Sequence, residues 1–317
     1  VEVMIAFGPV PSRRLGRSLG INNIPHKACT YSCAYCQVGR TIHKEIDRHF
    51  FYQPDELFRD VSDKAGKARR KNEPIDYLSF VPDGEPTLDI NLGLEIDLLR
   101  SLGKKIAVIT NASLLWRKDV RMELMKADWV SVKVDSVMKK SWYMVNRPQM
   151  TLQLESILNG ILEFARAYKG ILATETMLVR NINDTVAGIE AVSDFLALLQ
   201  PDISYLAVPS RPPAEKRVHP PGEEVVNRAY QQLSSKLTRV EFLIGYEGTA
   251  FASTGNAAED LLGITAVHPM RRDAVEDLLK RASAEWAVVD DLIVREELVE
   301  TEHEGNTFYL RKFIKGR

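Results

Sequence analysis

Cysteine occurs three times in the 317 residues, and all three lie close together: Cys29, Cys33 and Cys36, in the stretch HKACTYSCAYCQVGR. Thiolates are soft ligands that suit iron–sulfur clusters and zinc. Three of them can ligate three irons of a [4Fe–4S] cube and leave the fourth iron open to a small chelating molecule. That arrangement is incomplete for electron transfer, where four protein ligands are usual, and suits chemistry at the open iron. Two other readings of the same residues stay open. The spacing i, i+4, i+7 would place three core cysteines on one helix face, although Tyr31, Ser32 and Tyr35 between them favour a loop. Alternatively His26 or His43 completes a Cys₃His zinc site.

Something must hold such a loop. Short runs rich in β-branched residues alternate with longer helical stretches, the signature of βαβ units. Strands are expected at 19–24, 75–81, 105–110, 129–135, 171–179 and 203–208, with 240–246 as a seventh strand or an edge element. Helices are expected at 54–71, 91–102, 117–127, 151–168 and 184–199. Six strand–helix alternations predict an α/β fold, a partial (β/α)₆ barrel, spanning residues 1–250. Barrel sites collect at the C-terminal ends of the strands. The segments there are polar: PDGEPT (82–87), NAS (111–113), DS (135–136), RNIND (180–184) and PSRPP (209–213).

Residues 251–317 read as a linker plus a small α+β, winged-helix-like module. Two helices, at 268–282 and 284–295, precede a hairpin over 297–313, and the linker is expected at 248–260.

Composition is that of an ordinary globular chain, 45% hydrophobic and 27% charged with a net charge of −1, and gives no global reason to expect a polyanionic partner. No apolar run approaches the roughly 18 residues a membrane helix needs, and the start lacks the order of a secretory signal. Three clustered cysteines make a poor disulfide framework. A reducing, cytoplasmic location is expected. The charge is uneven, with seven basic groups against three acidic ones in residues 1–50 and 13 acidic against five basic in 259–304. The positive front, with Lys64, Lys67, Arg69, Arg70 and Lys71, offers phosphate contacts. The acidic helix of the module (Glu285, Asp290, Asp291) argues against DNA binding there, despite Arg311, Lys312, Lys315 and Arg317 at the end.

The pattern Cys29-x₃-Cys33-x-Tyr35-Cys36 after a first strand, followed by Gly84–Glu85–Pro86, resembles the signature of the radical S-adenosylmethionine (radical SAM) enzymes. The stretches GPVPSRRLGRSLGINNIP and CTYSCAYCQVGRT most resemble a branch related to the wyosine-synthesis, tRNA-modifying enzymes, without the cysteines those carry for a second cluster. The resemblance covers roughly residues 5–250. It implies one [4Fe–4S] cluster on the three cysteines and SAM chelating the open iron. An electron from an external donor then cleaves SAM to a 5′-deoxyadenosyl radical that abstracts a substrate hydrogen, in anaerobic chemistry. It implies that Gly84, Glu85 and Pro86 hold the methionyl amine, in a family that usually has glycine where this chain has Asp83. Tyr35, Asn111 and Asp135 would line the SAM site, and Asn183 and Arg211 would meet SAM or substrate. Arg147 and Glu175 are further candidates, Glu175 in a register the sequence leaves open. With no further cysteine, methyl-cysteine transfer, sulfur insertion and auxiliary-cluster chemistry drop out, and the short segment before the loop leaves no room for a cobalamin domain. The substrate is left as RNA, a nucleoside, a small molecule or a protein. The alternatives are activation of a glycyl-radical-type partner and, in another class, a non-catalytic zinc-binding winged-helix protein.

Overall fold

The computed structural model describes residues 5–244, 251, 253 and 255–312. In chain order the first part contains β1 (Ala6–Ser12), β2 (Gly16–Ile21), α1 (Pro54–Arg70), β3 (Tyr77–Phe80), α2 (Leu92–Leu99), β4 (Lys105–Thr110), α3 (Lys118–Leu124), β5 (Trp129–Lys133), α4 (Lys139–Val145), α5 (Leu154–Ala167), β6 (Ile171–Met177), α6 (Val186–Leu199), β7 (Ile203–Ala207), α7 (Glu223–Ser234) and β8 (Val240–Leu243). The eight strands form one sheet in sequential order. β2 to β8 run parallel, and β1 is antiparallel to β2. The sheet curls into a partial barrel.

Successive strand residues point to opposite faces, and the two faces have different fillings. Ile106, Val108, Val130, Val132, Leu172 and Leu206 join the large core beneath the helices. Their neighbours Ala107, Trp129, Ala173 and Tyr205 fill the inside of the curl together with Leu15, from the β1–β2 turn. The helices follow their sequence signals. α1 has Pro at its start, Asp55 and Glu56 in its first turn, and Lys67, Arg69 and Arg70 in its last, so that charge complements the helix dipole. α6 is capped by Thr185, whose hydroxyl accepts from Gly188 N at 3.1 Å.

The expected α/β partial barrel is what the chain forms, with more strands than the six units. The segment 240–246 gives the edge strand β8, its residues 245 and 246 lying outside the described residues. β1 was not expected, because Pro9 and Pro11 argue against a strand; it is an edge strand, where proline is tolerated, and its register shifts between Phe7 and Val10.

The C-terminal part contains α8 (Ala257–Val267), β9 (Met270–Arg271), α9 (Arg272–Ala282), α10 (Ala287–Val294), β10 (Leu298–His303) and β11 (Asn306–Arg311). The strands form a sheet in the order β10-β11-β9. α8 begins inside the stretch expected as linker, capped by Asn256, whose Oδ1 accepts from Glu259 N at 3.2 Å. Of that linker, 248–250, 252 and 254 lie outside the described residues, as do Phe313, Lys315 and Arg317. The core of this part (Leu261, Ile264, Met270, Leu278, Leu292, Tyr309) includes Phe7 and Val10 of β1. The barrel edge and the C-terminal part are therefore packed together. Buried Lys64 of α1 reinforces the joint, 3.5 Å from Asp260 of α8.

Candidate active site

The loop after β2 carries the three cysteines, all free and partly exposed. Their side chains line a cavity of about 260 Å³ at the C-terminal ends of the strands, shared with Tyr35, Asp83, Gly84, Asn111 and Arg211. Two contacts dock the loop on its neighbours. Glu85 N donates to Ala28 O at 2.9 Å, and Gly84 is so close to that carbonyl that a Cβ would collide with it and with Ile24. Glycine at 84 is thus a steric requirement.

Each sulfur has a nitrogen donor of its own. Asn111 Nδ2 lies 3.6 Å from Cys29 Sγ, Asn146 Nδ2 3.5 Å from Cys33 Sγ, and Lys27 Nζ 3.3 Å from Cys36 Sγ. Burial, with the nearby charges of Cys33 and Glu85, pushes the Cys29 thiol up. Burial and the Asp135 carboxylate push Cys33 up to about 12, against the opposing pull of Asn146 and Lys133. A ligand that takes these thiols as thiolates must therefore supply positive charge, as iron does.

Glu85 is wholly buried and does not line the cavity. Its Oε1 accepts from Thr87 N (3.1 Å), Thr87 Oγ1 (2.5 Å) and Thr110 Oγ1 (2.6 Å), and its Oε2 from Asn111 N (2.8 Å). Burial raises its pKa while these donors oppose the rise. The carboxyl group thereby ties the ends of β3 and β4 together and sets the Asn111 side chain beside Cys29. Pro86, next in the chain, is buried as well. Asp83 does face the cavity; His26 Nδ1 binds its Oδ2. Its Oδ1 is buried with no hydrogen-bond partner among the described residues.

Asp135 and Asn183 also lie behind the wall, 3% and 4% exposed. Asp135 accepts from the Tyr35 hydroxyl, from Asn146 Nδ2 at 2.6 Å and from Met177 N at 2.9 Å. Asn183 Nδ2 donates to Asp135 O at 2.7 Å and Met177 O at 2.8 Å. The two residues pin the ends of β5 and β6. Glu175 points into the curl, opposite Lys133 in the β5–β6 register. It binds Lys133 Nζ at 2.6 Å and the Arg14 guanidinium. Burial would raise its pKa, yet Lys133 and then Arg14 hold it down at about 2. Lys133 also sits 4.9 Å over the Tyr35 ring. Arg211 donates to Gln37 at 2.9 Å, and Arg147 binds Glu215 at 2.8 Å.

Of the sequence candidates, Cys29, Cys33, Cys36, Tyr35, Gly84, Asn111, Glu175 and Arg211 come together on the cavity. Glu85, Pro86, Asp135 and Asn183 hold it from behind. Lys27, Asp83, Lys133 and Asn146 were not singled out as site residues; only the departure at Asp83 and the neighbouring Arg147 pointed near two of them.

The positive charge of the first 50 residues is largely spent within the chain. Arg17 pairs with Glu73, Arg40 with Glu215 and Arg48 with Glu123, and Lys44 Nζ donates to the carbonyls of Arg147 and Pro148. Lys64 is buried, and the exposed Lys67, Arg69, Arg70 and Lys71 end α1 where it leads into β3, at the opposite end of the sheet from the cavity. No helix among the described residues is long and apolar enough to cross a membrane.

Comparison with known proteins agrees with this geometry. Residues 23–189 match the family described as the radical SAM superfamily. The UPF0026 protein MJ1312 of Methanocaldococcus jannaschii is 46% identical, over 99% of this chain and 97% of its own. The UPF0026 protein slr1464 of Synechocystis sp. is 36% identical, over 65% of this chain and 76% of its own. Among solved structures, TYW1 with a lysine-pyruvate adduct bound superposes with a TM-score of 0.55 at 16% identity, covering 70% of this chain and 74% of that one. A likeness at that identity concerns the fold.

Proposed function

The chain belongs to the radical SAM superfamily, and on that premise we propose that it binds one [4Fe–4S] cluster through Cys29, Cys33 and Cys36 and uses SAM to abstract a hydrogen atom from its substrate. The family implies SAM and an iron–sulfur cluster; the cube and its ligands are this reading's own. The observation that carries it is the sharing of one cavity by the three sulfurs and the β3-end loop. The donor set fits the cube. Among the described residues no three His, Cys, Asp or Glu side chains converge on a single ion, as a tetrahedral zinc site requires. Ligands of a cube need not converge, because each thiolate takes its own iron. The site also fits SAM, since a buried carboxylate oxygen with no partner among the described residues, Asp83 Oδ1, suits an ammonium group.

When bound, the two groups would supply an electron and a cleavable sulfonium, the source of a hydrogen-abstracting radical. The protein's part is placement. Asp83 and the backbone at Gly84 hold the methionyl amine. Asn111, Tyr35 and Arg211 form the walls. Glu85, Asp135 and Asn183 fix the strand ends that carry them, and Arg14, Glu175 and Lys133 line the cavity from the inside of the curl. Residues 1–250 form the catalytic barrel. Residues 251–317 are a winged-helix-like module, whose core packs against Phe7 and Val10 of β1.

Metal analysis after anaerobic reconstitution tests the reading. It predicts about four irons per chain and no stoichiometric zinc. A sample that holds one zinc tightly and takes up no iron would return the protein to the non-catalytic zinc-binding alternative.

A further inference from the structure

The cysteine sulfurs are matched one to one by side-chain nitrogen donors, and only one of the three donors is charged. Asn111 and Asn146 are held in place by their other bonds. Asn111 Oδ1 accepts from Ser113 N and its Nδ2 also donates to Thr30 Oγ1, both at 2.9 Å. Asn146 Nδ2 also donates to Asp135 at 2.6 Å. Lys27 is different in kind. Its ammonium donates to Gly39 O at 2.8 Å as well as to Cys36 Sγ at 3.3 Å, bridging the start of the cysteine loop to its end. Its backbone sits at φ 62°, a left-handed conformation that glycine or asparagine adopts at lower cost.

We infer that Lys27 is a positioning residue that sets the reduction potential of the bound cluster, with Asn111 and Asn146 as its neutral counterparts on the other two thiolates. The inference rests on the cluster assignment above. Reduction adds one electron, supplied by a low-potential one-electron donor, and leaves the cluster and its thiolates more negative. Hydrogen bonds to cluster sulfurs favour the more negative state and raise the potential, and a charge-assisted bond acts more strongly than a neutral one.

The test is a redox titration of the reconstituted holoenzyme, following the paramagnetic reduced cluster by electron paramagnetic resonance. Wild type is compared with Lys27→Met, Lys27→Arg and Asn111→Ala at equal iron content. Poised at the wild-type midpoint, Lys27→Met should show a reduced-to-oxidised ratio at least tenfold lower, a shift of about 59 mV to more negative potential for one electron. Lys27→Arg should recover most of that shift, and Asn111→Ala should move in the same direction by less. A Lys27→Met protein that assembles its cluster with an unchanged midpoint would overturn the inference. If Lys27→Met does not assemble, an unchanged midpoint in Asn111→Ala overturns it instead. Wild type without any cluster signal would instead remove the functional reading on which it rests.

Discussion

Gly84 and Ala28 meet backbone to backbone: there is no room for a Cβ at residue 84 beneath the Ala28 carbonyl, whose oxygen also accepts from Glu85 N. This contact joins the loop that carries the sulfurs to the strand end that faces them. Gly84→Ala is expected to push the two apart, costing about 1–3 kcal/mol of stability as overpacking does. Urea unfolding should report that loss, and iron retained after reconstitution should fall with it. A variant with wild-type stability and iron content would show that the contact is dispensable.

Asp83 offers one carboxylate oxygen bonded to His26 and one with no hydrogen-bond partner among the described residues. Asp83→Asn keeps the shape and removes the charge, so SAM affinity measured by equilibrium dialysis on the reconstituted protein should fall roughly tenfold, about 1.4 kcal/mol. Iron content should stay at the wild-type level. Unchanged affinity would assign the amine to backbone carbonyls alone.

Glu175 separates two cations inside the curl. Glu175→Gln leaves Arg14 and Lys133 facing each other in a buried space, and breaking such a pair costs roughly 3–5 kcal/mol. Thermal unfolding of Glu175→Gln against Glu175→Gln/Lys133→Met checks this, since removing one cation should restore part of the loss. Equal melting of the two variants would rule out charge repulsion as the cause.

Lys64 and Asp260 hold α1 against α8. Lys64→Met leaves a buried carboxylate and should destabilise the protein by roughly 3 kcal/mol. Adding Asp260→Leu should recover much of it. A single variant as stable as wild type would mean that the remaining contacts of Asp260, Ser253 among them at 3.1 Å, suffice for it.

Glu95 and Asp89 share a buried space behind the β3-end loop. Burial, then the Asp89 charge, raises Glu95 far above the usual carboxylate range, and burial raises Asp89. A carboxyl group whose pKa is raised by folding contributes stability that is fully present below its unfolded value and is lost as pH rises from there through the folded value. Melting temperature should therefore decline from about pH 4, the ordinary carboxylate range, towards about pH 9, and Glu95→Gln should flatten that decline. The same slope in both proteins would place the cause elsewhere.

Much of this site was legible before the structure. Cysteine spacing and the alternation of strand and helix placed the loop at the mouth of a parallel sheet, because periodicity and residue type carry that information directly. Asn146 was missed because an asparagine after a short helix looks like any other; its meaning comes from a fold that brings it to Cys33, more than a hundred residues earlier. Asp135 and Asn183 were legible as strand-end polar groups, but whether such a group faces the cavity or bonds its neighbours depends on side-chain direction. The facing of Glu175 was open for the same reason, until the register placed it opposite Lys133. α8 escaped because Gly263 interrupts it and its start follows a turn-rich stretch. The basic front looked like a phosphate surface, and only the contacts reveal how much of it is paired internally.

The most direct test of the account is 5′-deoxyadenosine formation by the anaerobically reconstituted protein, given SAM and a low-potential reductant, in wild type and in Cys29→Ala, Cys33→Ala and Cys36→Ala. The account predicts product from wild type and none from any of the three variants, each of which should also lose its cluster. Wild type that holds a full cluster and SAM yet forms no 5′-deoxyadenosine, or a cysteine variant that still forms it, would contradict the assignment of these three sulfurs.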